Sequence, residues 1–180
     1  LGKLNFANES TNEFVEFYNK YIGFDIRGSK IGCACKDDIS GELIFNVGFV
    51  SLTPEAGSFT INIRYPVTVK DETVYNSIKP VLDEYDFGII KIKHQVPIFV
   101  KPEGPMISTL MEIYQKYTGD LNSKPLVIGE GTYARATKNI VAFGAVFPGD
   151  LDRMHEKDEC LEIDKFMLMT QIYAEALYKL

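Results

Sequence analysis

His155 stands in an acidic run, Asp150-Leu151-Asp152-Arg153-Met154-His155-Glu156-Lys157-Asp158-Glu159. Imidazole is the commonest metal ligand among side chains, and nearby carboxylates can orient such a ligand. No HxxxH, HxD or CxxC pattern accompanies it, so spacing leaves a metal ligand and a solvated loop histidine both open. Arg64 follows Thr60 and Asn62 at intervals of two, which puts the three on one face of a strand. A guanidinium takes a carboxylate through two parallel hydrogen bonds. That face is either an anion clamp or a solvated sheet surface. Gly129-Glu130-Gly131-Thr132 could bind an anion through freed backbone amides and the threonine hydroxyl. It matches neither GxxxxGK[ST] nor GxGxxG, and a plain tight turn fits it equally well.

Other chemistry is thin. Cys33-Ala34-Cys35 offers two thiols with no second pair, too few for a structural metal site; small residues packing in a strand are expected. His94 shares a strand face with Ile90 and Ile92 and is expected to be packed there. Arg135 is either a loop arginine or a brace for the acidic loop. With two histidines in the chain, no Ser-His-Asp or Cys-His arrangement is supported.

The elements that must hold these residues follow from periodicity. Ser10 and Glu13 have capping-box spacing, and Phe14, Phe17, Tyr18, Tyr21 and Ile22 then mark one face of a helix over residues 11–22. A strand is expected over residues 30–36. Leu43, Phe45, Val47 and Phe49 alternate, as do Phe59, Ile61, Ile63 and Tyr65, which predicts two half-buried strands about a turn at Thr53-Pro54-Glu55-Ala56-Gly57. A helix over residues 71–84 contains Pro80, so a kink or early end is expected. Residues 87–94 read as another strand. An antiparallel sheet with helices on one face fits this order.

Pro97, Pro102 and Pro105 then punctuate the chain, and a domain crossing is expected over residues 95–103. Met106, Leu110, Ile113, Tyr114 and Tyr117 form a helical stripe ended by Gly119. Apolar runs at 125–128 and 140–147 read as buried strands. A last helix opens near Asp164, with Phe166, Met169, Tyr173, Ala176 and Leu180 on one face. The expected fold is α/β: an antiparallel-sheet part over residues 1–95 and a partial α/β part over residues 96–180. The glycine loop and His155 flank the 140–147 run, which makes residues 127–159 the working edge of a site.

The 180 residues are 46% hydrophobic and 24% charged, with a net charge of -6. That balance gives no electrostatic case for nucleic acid or an anionic membrane as partner. No apolar run reaches membrane-spanning length. Three cysteines without framework spacing suit a cytoplasmic protein. The first residue is leucine, from which a piece of a longer chain is expected.

Taken together, INIRYP at 61–66, GEGTYARATKNIVAFGAVFPG at 129–149, MHEKDE at 154–159 and IYAEALYKL at 172–180 resemble the C-terminal part of the PepV-type (Xaa-His) dipeptidases. These are co-catalytic di-metal peptidases related to carnosinase and aminoacylase. The resemblance covers most of the chain and is densest from Val127 onward. It implies that residues 1–95 are the second portion of a lid domain and residues 96–180 the return into a catalytic domain. It implies His155 as the last metal ligand, Arg64 as the lid arginine that holds the substrate's C-terminal carboxylate, and Gly131 and Thr132 as pocket-lining residues; Asn62, on the strand face of Arg64, is a further substrate-binding candidate. Glu130 stands where the family pattern has glycine.

The family's HxD motif, bridging aspartate, Glu-Glu pair, further carboxylate ligand and lid histidine are absent from these residues, so no catalytic residue is assigned in the chain. The implied activity is metal-dependent hydrolysis of short unblocked peptides, with two zinc or manganese ions in the whole enzyme. The implied partners are a dipeptide substrate and a missing N-terminal part, with self-association as a further expectation. The segment alone is expected to be inactive and to bind no stoichiometric metal. Two other readings stand beside this one: a related aminoacylase or deacylase, and a non-catalytic binding or oligomerisation module.

Overall fold

The structure is a computed structural model that describes residues 6–128, 131–144, 146–151 and 153–180. It is a mixed α/β fold of four α-helices and two antiparallel two-stranded ribbons among the described residues. The chain divides into two compact units, Leu1–Ile98 and Phe99–Leu180. No described helix is long and apolar enough to cross a membrane.

In the first unit, α1 (Glu9–Phe17) continues into one π-helical stretch, Tyr18–Ile22. Asn8, not Ser10, is the N-cap: its side chain accepts from Thr11 N at 3.3 Å. The capping-box spacing is real but falls inside the first turn, because the asparagine two residues earlier is the one with extended backbone. Gly23 ends the helix at φ 56°. Phe14, Phe17 and Ile22 are buried along the predicted face.

The strand expected over residues 30–36 is largely a turn. The Asp25 carboxylate accepts from Arg27 N at 2.9 Å and Lys30 N at 2.7 Å, and Gly28 and Gly32 adopt φ of 70° and 90°. Only Lys36–Asp37 (β1) forms a ladder, with Gly41–Glu42 (β2). A Cβ on Gly28 would lie 2.4 Å from Cys33 Sγ, so glycine is required for the thiol to pack. Burial pushes the Cys33 thiol up to about 11, and it acts as a small core residue.

The predicted alternation holds as far as Val47 in β3 (Ile44–Leu52) and along β4 (Gly57–Arg64), which pair antiparallel. The register shifts between Val47 and Phe49, so that Val47 opposes Ile61 and Phe49 opposes Thr60. Gly48 is the extra residue of this bulge, and past it β3 exchanges faces. One ribbon face packs Phe45, Val47, Phe59, Ile61 and Ile63 into the core. Phe59 stacks on Phe14 with centroids 4.2 Å apart, and Phe17 meets Phe87 edge-on at 4.6 Å. α2 (Asp71–Glu84) closes the core with Val74 and Ile78. It runs on past Pro80 without the expected early end. Pro80 and Asn76 are both exposed, so the carbonyl that the proline frees is open to water.

Residues 87–98 form no regular element and join no ladder, and Ile90 and Ile92 are 89% and 81% exposed. The expected strand over 87–94 has no neighbouring strand among the described residues to pair with. The same reason applies to 125–128 and 140–147 in the second unit, where the described residues of neither run are paired. There α3 (Pro105–Thr118) starts on a proline at its N-terminus and ends at Gly119 with φ 71°. It packs against α4 (Ile163–Lys179) through Leu110, Ile113, Ile172 and Ala176. Glu162, not Asp164, precedes the first turn of α4. Met169 and Ala176 are buried as expected, whereas Phe166 and Leu180 are 55% and 65% exposed.

Asp37 ties β1 to the turn that follows β4. Its carboxylate accepts from the Ser40 hydroxyl at 2.9 Å, the Thr68 hydroxyl at 2.9 Å and Thr68 N at 3.2 Å. Desolvation opposes ionisation, but the donors of Ser40 and Thr68 outweigh it and hold the carboxyl well below the usual carboxylate range. A folded pKa below the unfolded one gives stability that is fully present above about pH 4 and is lost as the pH falls further. Asp37→Asn should therefore lower stability to urea at neutral pH, and its gap from the wild type should narrow below about pH 4. A gap that stays constant with pH would contradict this role.

Candidate functional site

The polar face of the β3–β4 ribbon is built by the burial of the other one. Because Phe59, Ile61 and Ile63 point into the core, Thr60, Asn62 and Arg64 point outward, and all three are exposed. Asn62 lies directly opposite Asn46, and Arg64 opposite Ile44. Among the described residues the Arg64 guanidinium has no hydrogen bond or ion pair. An arginine so placed at a strand end is open to an anion. The bulge adds a residue that alternation alone misses. Phe49, predicted to share the face of Phe45 and Val47, is instead 62% exposed beside Thr60. Gly48 is the only signal for it in the sequence.

In the second unit, Gly129 and Glu130 lie outside the described residues, as does Asp152. Gly131 is exposed. Thr132 caps the short 3-10 helix Tyr133–Arg135, its Oγ1 accepting from Ala134 N at 3.3 Å. Its hydroxyl thus already serves the local turn. A Cβ built on Gly131 would lie 3.9 Å from Arg135 Nε, so the arginine side chain lies close to this loop.

The segment after it is held from both ends. Val141, Phe143 and Phe147 pack on the α3–α4 pair, and Tyr173 Oη donates to Phe143 O at 2.8 Å. The acidic loop starts at Asp150, whose carboxylate accepts from Phe147 N at 3.0 Å and pairs with Lys165 of α4. The Lys165 ammonium holds the Asp150 carboxyl below the usual carboxylate range. Beyond this anchor the loop turns tightly. His155 and Asp158 adopt φ of 65° and 62°, a left-handed conformation that Asp and His adopt more readily than most non-glycine residues. His155 is exposed, and its backbone N donates to Glu159 Oε2 at 3.3 Å.

The structure thus unites Asn62 and Arg64 on one ribbon face. It leaves Thr132 and His155 without a hydrogen bond to each other. Among the described residues no three His, Cys, Asp or Glu side chains converge as a metal site.

His94 is not packed among Ile90 and Ile92. Its Nε2 lies 2.7 Å from Tyr65 Oη and 3.6 Å from Asp71 Oδ2. No spacing in the sequence pairs residues 29 apart in this way.

No family model matches the chain. Over 176 residues it is 38% identical to "Putative dipeptidase YtjP" of Bacillus subtilis (strain 168), covering 96% of this chain and 37% of that protein. It is also 38% identical over 181 residues to "Putative dipeptidase" of Staphylococcus epidermidis, covering 100% of this chain and 38% of that protein. The chain spans 37–38% of the length of these curated relatives. From end to end it is therefore similar to proteins named as dipeptidases, of which it matches less than two-fifths.

Proposed function

We propose that this chain is part of a dipeptidase that releases amino acids from short unblocked peptides. The observation that carries the reading is the 38% identity to proteins named dipeptidases, which extends over 96–100% of the chain. The unpartnered Arg64 at the end of β4 supports it from the geometry. In this reading Arg64 pairs with the substrate's C-terminal carboxylate, and Asn62 hydrogen-bonds the same end of the peptide. Gly131 and Thr132 line the pocket by their backbone. Residues 1–95 act as the second portion of a lid and residues 96–180 as part of a catalytic domain.

The finer reading is metal-dependent hydrolysis in the cytoplasm. In this reading His155, exposed on the acidic loop, contributes one ligand. Among the described residues no set of three donors gathers round His155; in this reading the other ligands and the general base come from a further part of the protein. When bound, zinc or manganese supplies the activation of water. The second unit exposes apolar residues, Ile163, Phe166, Met167, Leu177 and Tyr178 of α4 among them. These support cover by the remaining chain, with self-association as its consequence when that cover is missing.

Two substitutions in the full-length protein test the reading. Arg64→Ala should lower kcat/KM for a dipeptide about tenfold to a hundredfold, the scale of a lost charge-assisted pair. The matching dipeptide amide, which lacks the carboxylate, should lose little. An equal loss on both substrates would remove the carboxylate role. His155→Ala should lower the bound metal and abolish turnover. Full metal content with unchanged turnover would instead favour a non-catalytic module, and preference for an acylated amino acid would favour an aminoacylase.

A further inference from the structure

Four side chains that the reading above leaves unused meet beside Arg64. Tyr65 directly follows β4, Asp71 lies in the first turn of α2, and Lys91 and His94 come from the irregular residues that follow α2. The Tyr65 hydroxyl and His94 Nε2 are 2.7 Å apart, and the two rings stack with an interplanar angle of 16°. The same nitrogen lies 3.6 Å from Asp71 Oδ2, which accepts from Lys91 Nζ at 2.7 Å. The Lys91 ammonium in turn sits 5.1 Å from the Tyr75 ring centroid. The imidazole therefore faces a hydroxyl on one element and a carboxylate on another.

This placement bears on Arg64 through the backbone. The last ladder pair of β4 is Arg64 with Ile44, and a strand end without further pairing frays. Tyr65 is the next residue, one peptide bond beyond the end of β4. Whatever holds Tyr65 also fixes the direction in which Arg64 leaves the chain. On one flank the following turn is held by Asp37 through Thr68. On the other, His94 is the hydrogen-bonding partner of Tyr65. Residues 87–98 have no ladder of their own, and Lys91 and His94 tie them to Asp71. Burial raises the Tyr65 phenol above its ordinary value, so the hydroxyl that meets the imidazole stays uncharged.

We propose that His94 is a positioning residue for substrate binding: through Tyr65 it fixes the end of β4 and holds the Arg64 guanidinium in the orientation that receives the carboxylate. The inference rests on the reading of Arg64 given above. It assigns His94 no contact with substrate. The contribution is felt in ground-state binding of the carboxylate end and not at the scissile bond.

The experiment compares KM and kcat of the full-length protein for a dipeptide and for the matching dipeptide amide. His94→Ala should raise KM for the dipeptide about threefold to tenfold, the scale of one hydrogen bond, with kcat within about twofold and KM for the amide unchanged. Tyr65→Phe should reproduce that pattern. His94→Gln keeps a polar group at the position and should restore most of the lost affinity. It also serves as the reporter if the alanine variant does not fold. An unchanged dipeptide KM in His94→Ala, or equal rises for dipeptide and amide, would overturn the proposal. If Arg64→Ala shows the carboxylate-specific loss and His94→Ala does not, the positioning role alone falls. If Arg64→Ala shows no such loss, the reading of Arg64 and the role of His94 fall together.

Discussion

The burial of one face of the β3–β4 ribbon is the constraint on which the first unit depends. A two-stranded ribbon in water is marginal by itself. Here the stack of Phe59 on Phe14 and its contact with Phe17 anchor it to α1, and Val74 and Ile78 of α2 complete the core. A slip of one residue would turn Phe59, Ile61 and Ile63 to water and drive Arg64 into the aromatic cluster. Hydrophobic burial thus does more than stabilise the unit. It decides which side of β4 carries the guanidinium, and the clusters around Asp37 and His94 then fix where that strand ends.

The second unit shows the same physics left incomplete. α4 buries Met169, Ile172 and Ala176 against α3, yet Ile163, Phe166, Met167, Leu177 and Tyr178 line its other side in the open. A helix that is apolar all round is ordinarily buried all round. The described residues of 140–147 repeat the pattern. Val141, Phe143 and Phe147 pack inward, while Ile140 and Val146 are 37% and 52% exposed. Both surfaces fit a chain that spans 37–38% of its curated relatives, and in the account proposed here the rest of the protein covers them.

What could be read from the residues follows the same division. The alternation in β3 and β4 and the helical stripes of α1 and α3 report local burial, and those elements are where periodicity puts them. Apolar runs at 87–94, 125–128 and 140–147 report burial too, but a strand also needs a neighbour, and pairing is not written in the run itself. The turn through Gly28 and Gly32 depended on the Asp25 carboxylate, and the start of α1 on Asn8; periodicity sees neither. Of the candidate site, the residue types Arg64 and His155 were legible. The bulge that turns Phe49 outward and the meeting of Tyr65 with His94 were not, because each arises from packing between elements distant in sequence.

The central claim is that Arg64 receives the carboxylate of a peptide substrate. The most direct measurement is a crystal structure of the full-length protein with a non-hydrolysable dipeptide analogue that retains a free C-terminal carboxylate. The account predicts that carboxylate within hydrogen-bonding distance of the Arg64 guanidinium, about 2.7–2.9 Å for a charge-assisted pair. An analogue whose carboxylate is bound elsewhere, with Arg64 facing solvent, would contradict it.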